Sequence, residues 1–233
     1  MTSCCDPSGY SGVFDHKQGA RDLRRYRRRG LEGLIAGVVR HLRGGVAGAT
    51  VLEVGGGIGA VQAELLGSGA ARAINVDISD GYEAAAAELA SELGLETTRR
   101  VVGDFIDEAT ALPDADIVVM NRVVCCYPDM VTLVATAASK TARSLAMVFP
   151  RDQWFMRLLR GGIALRMRLA RNSFRFYVHD PDRIVAVAAG SGLVIAFSEK
   201  RLGWQAVVME RPSSRGGVRP ASSTRRSFDR PQH

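Results

Sequence analysis

The chain has 233 residues, 46% hydrophobic and 24% charged, with a formal net charge of +7. That size fits one α/β domain with additions at its ends. The composition excludes a disordered chain, and no apolar run reaches the length of a membrane-spanning helix.

Met1–Gly19 is rich in Ser, Gly and Asp and reads as irregular. Met1–Gly12 has neither a basic n-region nor an apolar h-region, so no signal peptide and a cytoplasmic location are expected. From Ala20 the pattern turns helical. Leu23, Tyr26, Leu31, Leu34, Ile35, Val38, Val39 and Leu42 share one face, and arginines between Arg21 and Arg29 fill the other. Gly30 splits this stretch into two helices, and Gly44-Gly45 ends it, giving an N-terminal arm over residues 1–45. Val51–Val54 reads as a buried parallel strand. It runs through Gly55, Gly57 and Gly59 into a helix ending near Leu66, a turn that brings bare backbone close to a nucleotide.

Arg72–Asp77 is the second strand, followed by a helix over Asp80–Leu93 with Gly94 as its C-cap. Val101-Val102 ends the third strand and runs into Gly103-Asp104. Ile117–Met120 is the fourth, followed by Asn121-Arg-Val-Val-Cys-Cys-Tyr-Pro. A helix starts at Asp129, and Leu145–Phe149 is the fifth strand. Gln153–Arg171 then forms a basic amphipathic helix, inserted over residues 151–175 as a lid on the strand ends. Asp180-Pro181 opens a helix closing at Ser191-Gly192. Leu193–Glu199 and Trp204–Glu210 close the 46–210 domain as an antiparallel pair, and residues 211–233 form a disordered basic tail. The whole reads as a Rossmann-like, seven-stranded open sheet with helices on both faces.

Gly55-x-Gly57-x-x-Ala60 with Asp77 also fits a dinucleotide fingerprint. Three features favour another ligand. Glu53, two places before the first glycine, suits an ammonium group; Asp104 suits an adenine amine; and a dinucleotide domain does not usually end in an antiparallel pair. On these residues the chain resembles the class I S-adenosylmethionine-dependent methyltransferases. Glu53-x-Gly55-x-Gly57-x-Gly59 matches the family's first motif, Asp77 its ribose-binding acid and Gly103-Asp104 its adenine-contacting position. The resemblance implies S-adenosylmethionine as cofactor, with Ile78, Phe105 and Asn121 completing the cofactor set. Tyr127-Pro128 and Arg175-Phe-Tyr-Val-His179 further resemble the magnesium-protoporphyrin O-methyltransferase group, with Cys126 where that group carries a histidine.

Methyl transfer is an in-line displacement, so the protein mainly aligns a nucleophile in a dry site. His179 is the first candidate base, with capping of its helix or contact with backbone as the alternative; Tyr127 is the second. Tyr26, Cys126, Trp154 and Arg175 are the expected acceptor-pocket residues, and Tyr26 and His16 are candidates to close over the cofactor. Trp154, Phe155, Leu158 and Leu159 suggest an apolar cover with Arg151, Arg157 and Arg160 beside it. These features point to O-methylation of a carboxylate or phenol on a small hydrophobic or planar molecule. A nucleic-acid methyltransferase and a non-catalytic cofactor-binding protein are the alternatives. The first is disfavoured because no Asn/Asp-Pro-Pro-Tyr-like loop follows the fourth strand. The arginines of the N-terminal helix suit peripheral membrane contact. No metal is expected: Cys4-Cys5 and Cys125-Cys126 lack the spacing of a zinc knuckle. The sequence does not specify an oligomeric state.

Overall fold

The computed structural model describes residues 7–95 and 98–212. The Cys4-Cys5 pair and the tail from residue 213 onward, expected to be disordered, lie outside the described residues.

The N-terminal stretch is more ordered than its composition suggests. A short helix α1 (Pro7–Ser11) precedes α2 (His16–Arg29), and α2 starts ahead of Ala20. The cause is local: the Asp15 side chain accepts the Gln18 N–H at 2.8 Å and so caps the helix. Gly30, at φ +62°, ends α2, and α3 (Leu34–Leu42) follows. Then come β1 (Thr50–Val54), α4 (Ala60–Gly67), β2 (Arg72–Asp77), α5 (Glu83–Glu92), β3 (Thr98–Val102) and α6 (Phe105–Glu108). The second half continues with β4 (Ala115–Asn121), α7 (Met130–Ser139), β5 (Thr141–Pro150) and α8 (Trp154–Leu169). It closes with α9 (Pro181–Ala189), β6 (Val194–Arg201) and β7 (Trp204–Glu210).

The seven strands lie in the order β3-β2-β1-β4-β5-β7-β6. All pairings are parallel except those of β7, which runs against both β5 and β6. The chain winds outward in one direction from β1 and in the other from β4. The carboxyl ends of these two strands therefore flank the switch-point crevice where open α/β sheets bind ligands.

Strict alternation along the central strands builds two cores. Leu52, Val118, Met147, Phe149 and Val207 pack with Leu133 of α7 and Ile184 of α9. Val51, Ile117, Val119, Ala146 and Val208 pack with Val38 of α3 and Leu65 of α4. Each such buried Val, Leu, Ile, Met or Phe side chain contributes about 1.5–3 kcal/mol, which fixes the register of the strands. A third cluster joins Leu23 of α2 to Ile58, Tyr82 and Leu89, and so seats the N-terminal arm beside the glycine loop. On α8, Met156 is buried, and Ile163 and Met167 pack against the first core.

Candidate functional site

The loop after β1 is shaped by backbone that other residues do not tolerate. Gly55, Gly57 and Gly59 lie at φ +61°, +55° and +78°. A Cβ on Gly55 would sit 2.5 Å from Val123 Cγ2, and one on Gly59 would sit 2.5 Å from Gln62 Nε2. The loop is thus a bare-backbone cradle at the entrance to α4.

Asp77, at the end of β2, is buried and accepts the N–H groups of Gly57 at 2.8 Å and Ser79 at 2.9 Å. Burial pushes its pKa up, while these two donors pull it down. A carboxylate accepts about four hydrogen bonds, so it retains capacity for a ribose diol. Arg100 of β3, which the sequence reading passed over, donates to the Gly57 carbonyl at 2.6 Å and also holds Glu83. The Gly57 residue is therefore gripped at both its N–H and its C=O.

Glu53 lies on β1 beneath the loop, 2% exposed, and accepts the Gln62 N–H at 3.1 Å in the first turn of α4. Burial pushes its pKa up to about 8. Asn121, at the end of β4, lines the same cleft, and its buried Oδ1 has no partner among the described residues. A buried acceptor left unmatched is costly, which marks a place for an incoming donor. Asp104 caps α6 by accepting the Ile106 N–H at 2.8 Å. The buried Tyr127 hydroxyl donates to the same carboxylate at 3.2 Å.

These groups line a cleft of about 600 Å³ at the strand ends, within the ~300–1,000 Å³ typical of small-molecule sites. Glu53, the glycine loop, Asp77, Ile78 and Tyr82 line it together with Asn121, Arg122, Val148, Leu202 and Trp204. An annex of about 50 Å³ holds Asp104, Phe105 and Tyr127 and shares Ile78 and Cys126 with the main cleft.

The arm supplies further lining through Tyr10, Phe14 and Tyr26. Tyr10 and Phe14 each meet Phe174 edge-on at 5.6 Å between ring centroids. The Tyr10 hydroxyl donates to the Cys126 carbonyl, and Ser79 donates to the Phe14 carbonyl at 2.6 Å. Tyr10 and Phe14 escaped the sequence reading because they sit in a stretch without periodicity. Tyr26 does reach the cleft, where its hydroxyl donates to Glu64 at 3.1 Å. Burial and that neighbouring carboxylate push its pKa up to about 12.

Several expected residues are not brought to the cleft. His16 is exposed on α2 and outside the lining. Trp154 is 77% exposed, because Met156, Ile163 and Met167 form the docked face of α8 and turn Trp154 outward. Arg175 is exposed and donates to the backbone carbonyls of Asn172 and Phe174. His179 is half-buried outside both cavities, with Nε2 2.9 Å from the Tyr127 carbonyl oxygen and its ring stacked on Tyr177. Burial holds its pKa below the usual histidine value. It contacts backbone, the alternative to a base.

A pair the sequence reading missed stands near Asn121. Arg122, at φ +63°, places its guanidinium carbon 4.9 Å from the centroid of the Trp204 ring, and both line the cleft. A non-glycine residue in that conformation costs about 1–3 kcal/mol and persists where the surroundings enforce it.

Residues 52–143, which carry the glycine loop, Asp77, Asp104, Asn121 and Tyr127, match the methyltransferase domain family. The fold and cradle agree with that match. The chain is a methyl-transfer enzyme built on the class I methyltransferase fold. S-adenosylmethionine is its cofactor, and the residues fit it: a glycine cradle, a diol acceptor in Asp77 and an unmatched acceptor in Asn121.

In fold, the methyltransferase is similar to magnesium protoporphyrin IX methyltransferase from Synechocystis PCC 6803 solved with bound SAH. The TM-score is 0.65 at 19% identity, covering 87% of this chain and 100% of that one. An O-methyltransferase family protein from Burkholderia thailandensis aligns with TM-score 0.63 at 19% identity, over 87% of this chain and 64% of that one. A putative RNA methyltransferase from Pyrococcus horikoshii aligns at 0.54 and 12% identity, over 78% and 84% of the two chains. Neighbours so different in their named substrates show the fold alone. No curated protein matches the sequence.

Proposed function

We propose that the enzyme O-methylates an acidic oxygen, a carboxylate in preference to a phenol, on a small hydrophobic or planar molecule. The observation that carries this reading is the Arg122–Trp204 pair beside Asn121, inside the cleft that also holds the glycine loop. A guanidinium over an indole offers a flat apolar face together with charge for an oxyanion. The likeness in fold to an O-methyltransferase family protein is consistent with it.

When bound, the cofactor supplies a methyl group on a positively charged sulfur. The glycine loop, Asp77 and Asn121 would hold it, and Tyr10, Phe14 and Tyr26 would exclude water from that end. Arg122 would set the acceptor oxygen and Trp204 its apolar body. Among the described residues no histidine lines the cleft. The tyrosines Tyr26 and Tyr82 both have pKa values raised by burial, so neither is a base near neutrality, and Glu53, raised to about 8, is enclosed beneath the glycine loop on the Gln62 N–H. An ionised carboxylate needs no base, whereas a phenol usually does. That difference favours the carboxylate.

The test is turnover against a panel of aryl and polyene carboxylates and phenols, with the methylated atom located by NMR. Methyl ester formation with a rate, at saturating S-adenosylmethionine, flat in pH near neutrality is expected. Arg122→Met should raise KM by roughly 10–100-fold, as for loss of a charge-assisted hydrogen bond. Methyl groups found only on nitrogen or carbon would refute the reading. A rate climbing steadily with pH would move it to the phenol.

A further inference from the structure

Helix α8 carries two apolar faces, and the fold uses one. Five of the eleven exposed large hydrophobic side chains among the described residues lie on it, so the exposure is not scatter: Trp154 at 77%, Leu158 at 70%, Leu159 at 48%, Leu165 at 59% and Leu169 at 78%. At about 100° per residue, Trp154, Leu158, Leu165 and Leu169 fall within roughly 60° of one another, opposite the docked Met156, Ile163 and Met167. Arg157 and Arg168 flank this outward stripe on one side and Arg166 on the other. The sequence from Gln153 to His179 contains no acidic residue. Among the described residues only Arg157 of these three is ion-paired, to Asp152 at 2.7 Å.

Helix α2 is also basic, with Arg25, Arg27 and Arg29 matched by Glu32, Glu88 and Glu92 and Arg21, Arg24 and Arg28 without an ion pair among the described residues, but α2 exposes no large apolar side chain. Charge and apolar anchors coincide on α8 and not on α2. Next to its start, the turn between β6 and β7 sets Gly203 against Met156 and Phe155, and Leu202, 84% exposed, both lines the cleft and stands free. Among the described residues no helix is long and apolar enough to cross a membrane.

We propose that the outer face of α8, with Leu202, docks on an anionic lipid surface, Trp154 and the leucines entering the headgroup boundary and the arginines meeting lipid phosphates. A stripe of Trp and Leu flanked by arginine is the pattern of an in-plane interfacial helix. A second copy is a poorer occupant, since pairing the faces would bring unmatched arginines together. Docking would turn the Leu202 side of the cleft toward the bilayer. The proposal stands whether or not the acceptor is a carboxylate.

The test is co-sedimentation of the full chain with vesicles of phosphatidylcholine, with and without phosphatidylserine. Binding only to the anionic vesicles, weakening as salt rises, is expected. Trp154 emission should shift to the blue and be quenched by brominated acyl chains, a response that Trp154→Phe removes while Trp204 still reports. The triple variant Leu158→Ser, Leu165→Ser, Leu169→Ser should keep its melting temperature and S-adenosylmethionine affinity, yet partition at least ~10-fold less. No vesicle binding, or binding untouched by the triple variant, would overturn the proposal. So would a solution dimer that the same substitutions dissociate, or binding to polyglutamate without binding to vesicles.

Discussion

Glu53 is a carboxylic acid enclosed beside the central strand, and its titration links stability to cofactor binding. Its pKa in the folded chain is about 8, against about 4.3 for a glutamate in an unfolded chain. Between those values the folded state holds a proton that the unfolded state has lost. The stabilisation is therefore complete below the lower value and is lost as pH rises through the upper one. Glu53→Gln keeps an acceptor for the Gln62 N–H and removes the titration. Its melting temperature should match wild type near pH 4 and exceed it by a growing margin as pH rises to about 8. Equal pH dependence in both proteins would contradict this. An ammonium brought near Glu53 favours its ionised form, so cofactor affinity should rise across the same window.

His179 can be tested at the same scale. With Nε2 on the Tyr127 carbonyl it holds the segment after β4, and Tyr127 in turn holds Asp104. His179→Ala is expected to lower kcat/KM by less than about tenfold, with an unchanged pH profile and partial rescue by His179→Asn. A loss of a hundredfold or more together with a lost acidic limb would restore it as a base. The glycines, Asp77 and Asp104 were legible because they end or follow three successive strands, positions that the order of elements along the chain reveals. The Arg122–Trp204 pair was not, since its members lie 82 positions apart and meet only through the β4–β5 and β5–β7 pairings together. Arg100 was hidden likewise, one charge among many until β3 lies beside β2.

Among the elements, the strands read well from sequence because two buried faces force short, β-branched apolar runs bounded by turn residues, too short for a helix. The helix of residues 154–169 was also legible, but its orientation was not. Trp154 and Met156 are both apolar, and only packing on the core decides which one turns inward. The arm posed the opposite difficulty, since its order comes from single contacts. A Cβ on Gly81 would collide with the Phe14 carbonyl oxygen, and one on Gly9 would collide with Ser173 Oγ. Tyr10, Phe14 and Phe174 thus join the arm to the segment after α8. Tyr10→Ala should raise hydrogen exchange in residues 9–15 and 173–177 together, and S-adenosylmethionine should restore less protection than in wild type. Faster exchange in the arm alone would show that the two pieces move independently.

For the whole molecule, the arrangement places the cofactor loop, the Arg122–Trp204 pair and the aromatic arm around one crevice, at the point where the strand order reverses. Net charge and composition said little about this, because they constrain solubility and partners and not the geometry of a site. The decisive constraint is the glycine loop. Calorimetric titration of the full chain with S-adenosylmethionine and with NAD tests it most directly, repeated on Gly57→Val. Saturable binding of one S-adenosylmethionine per chain is expected, without competition from NAD. The valine, forced to φ near +55° against the Tyr82 ring, should weaken binding by roughly 10–100-fold. Tight binding of NAD with none of S-adenosylmethionine, or a Gly57→Val chain with undiminished affinity, would contradict the assignment of this loop as the cofactor site.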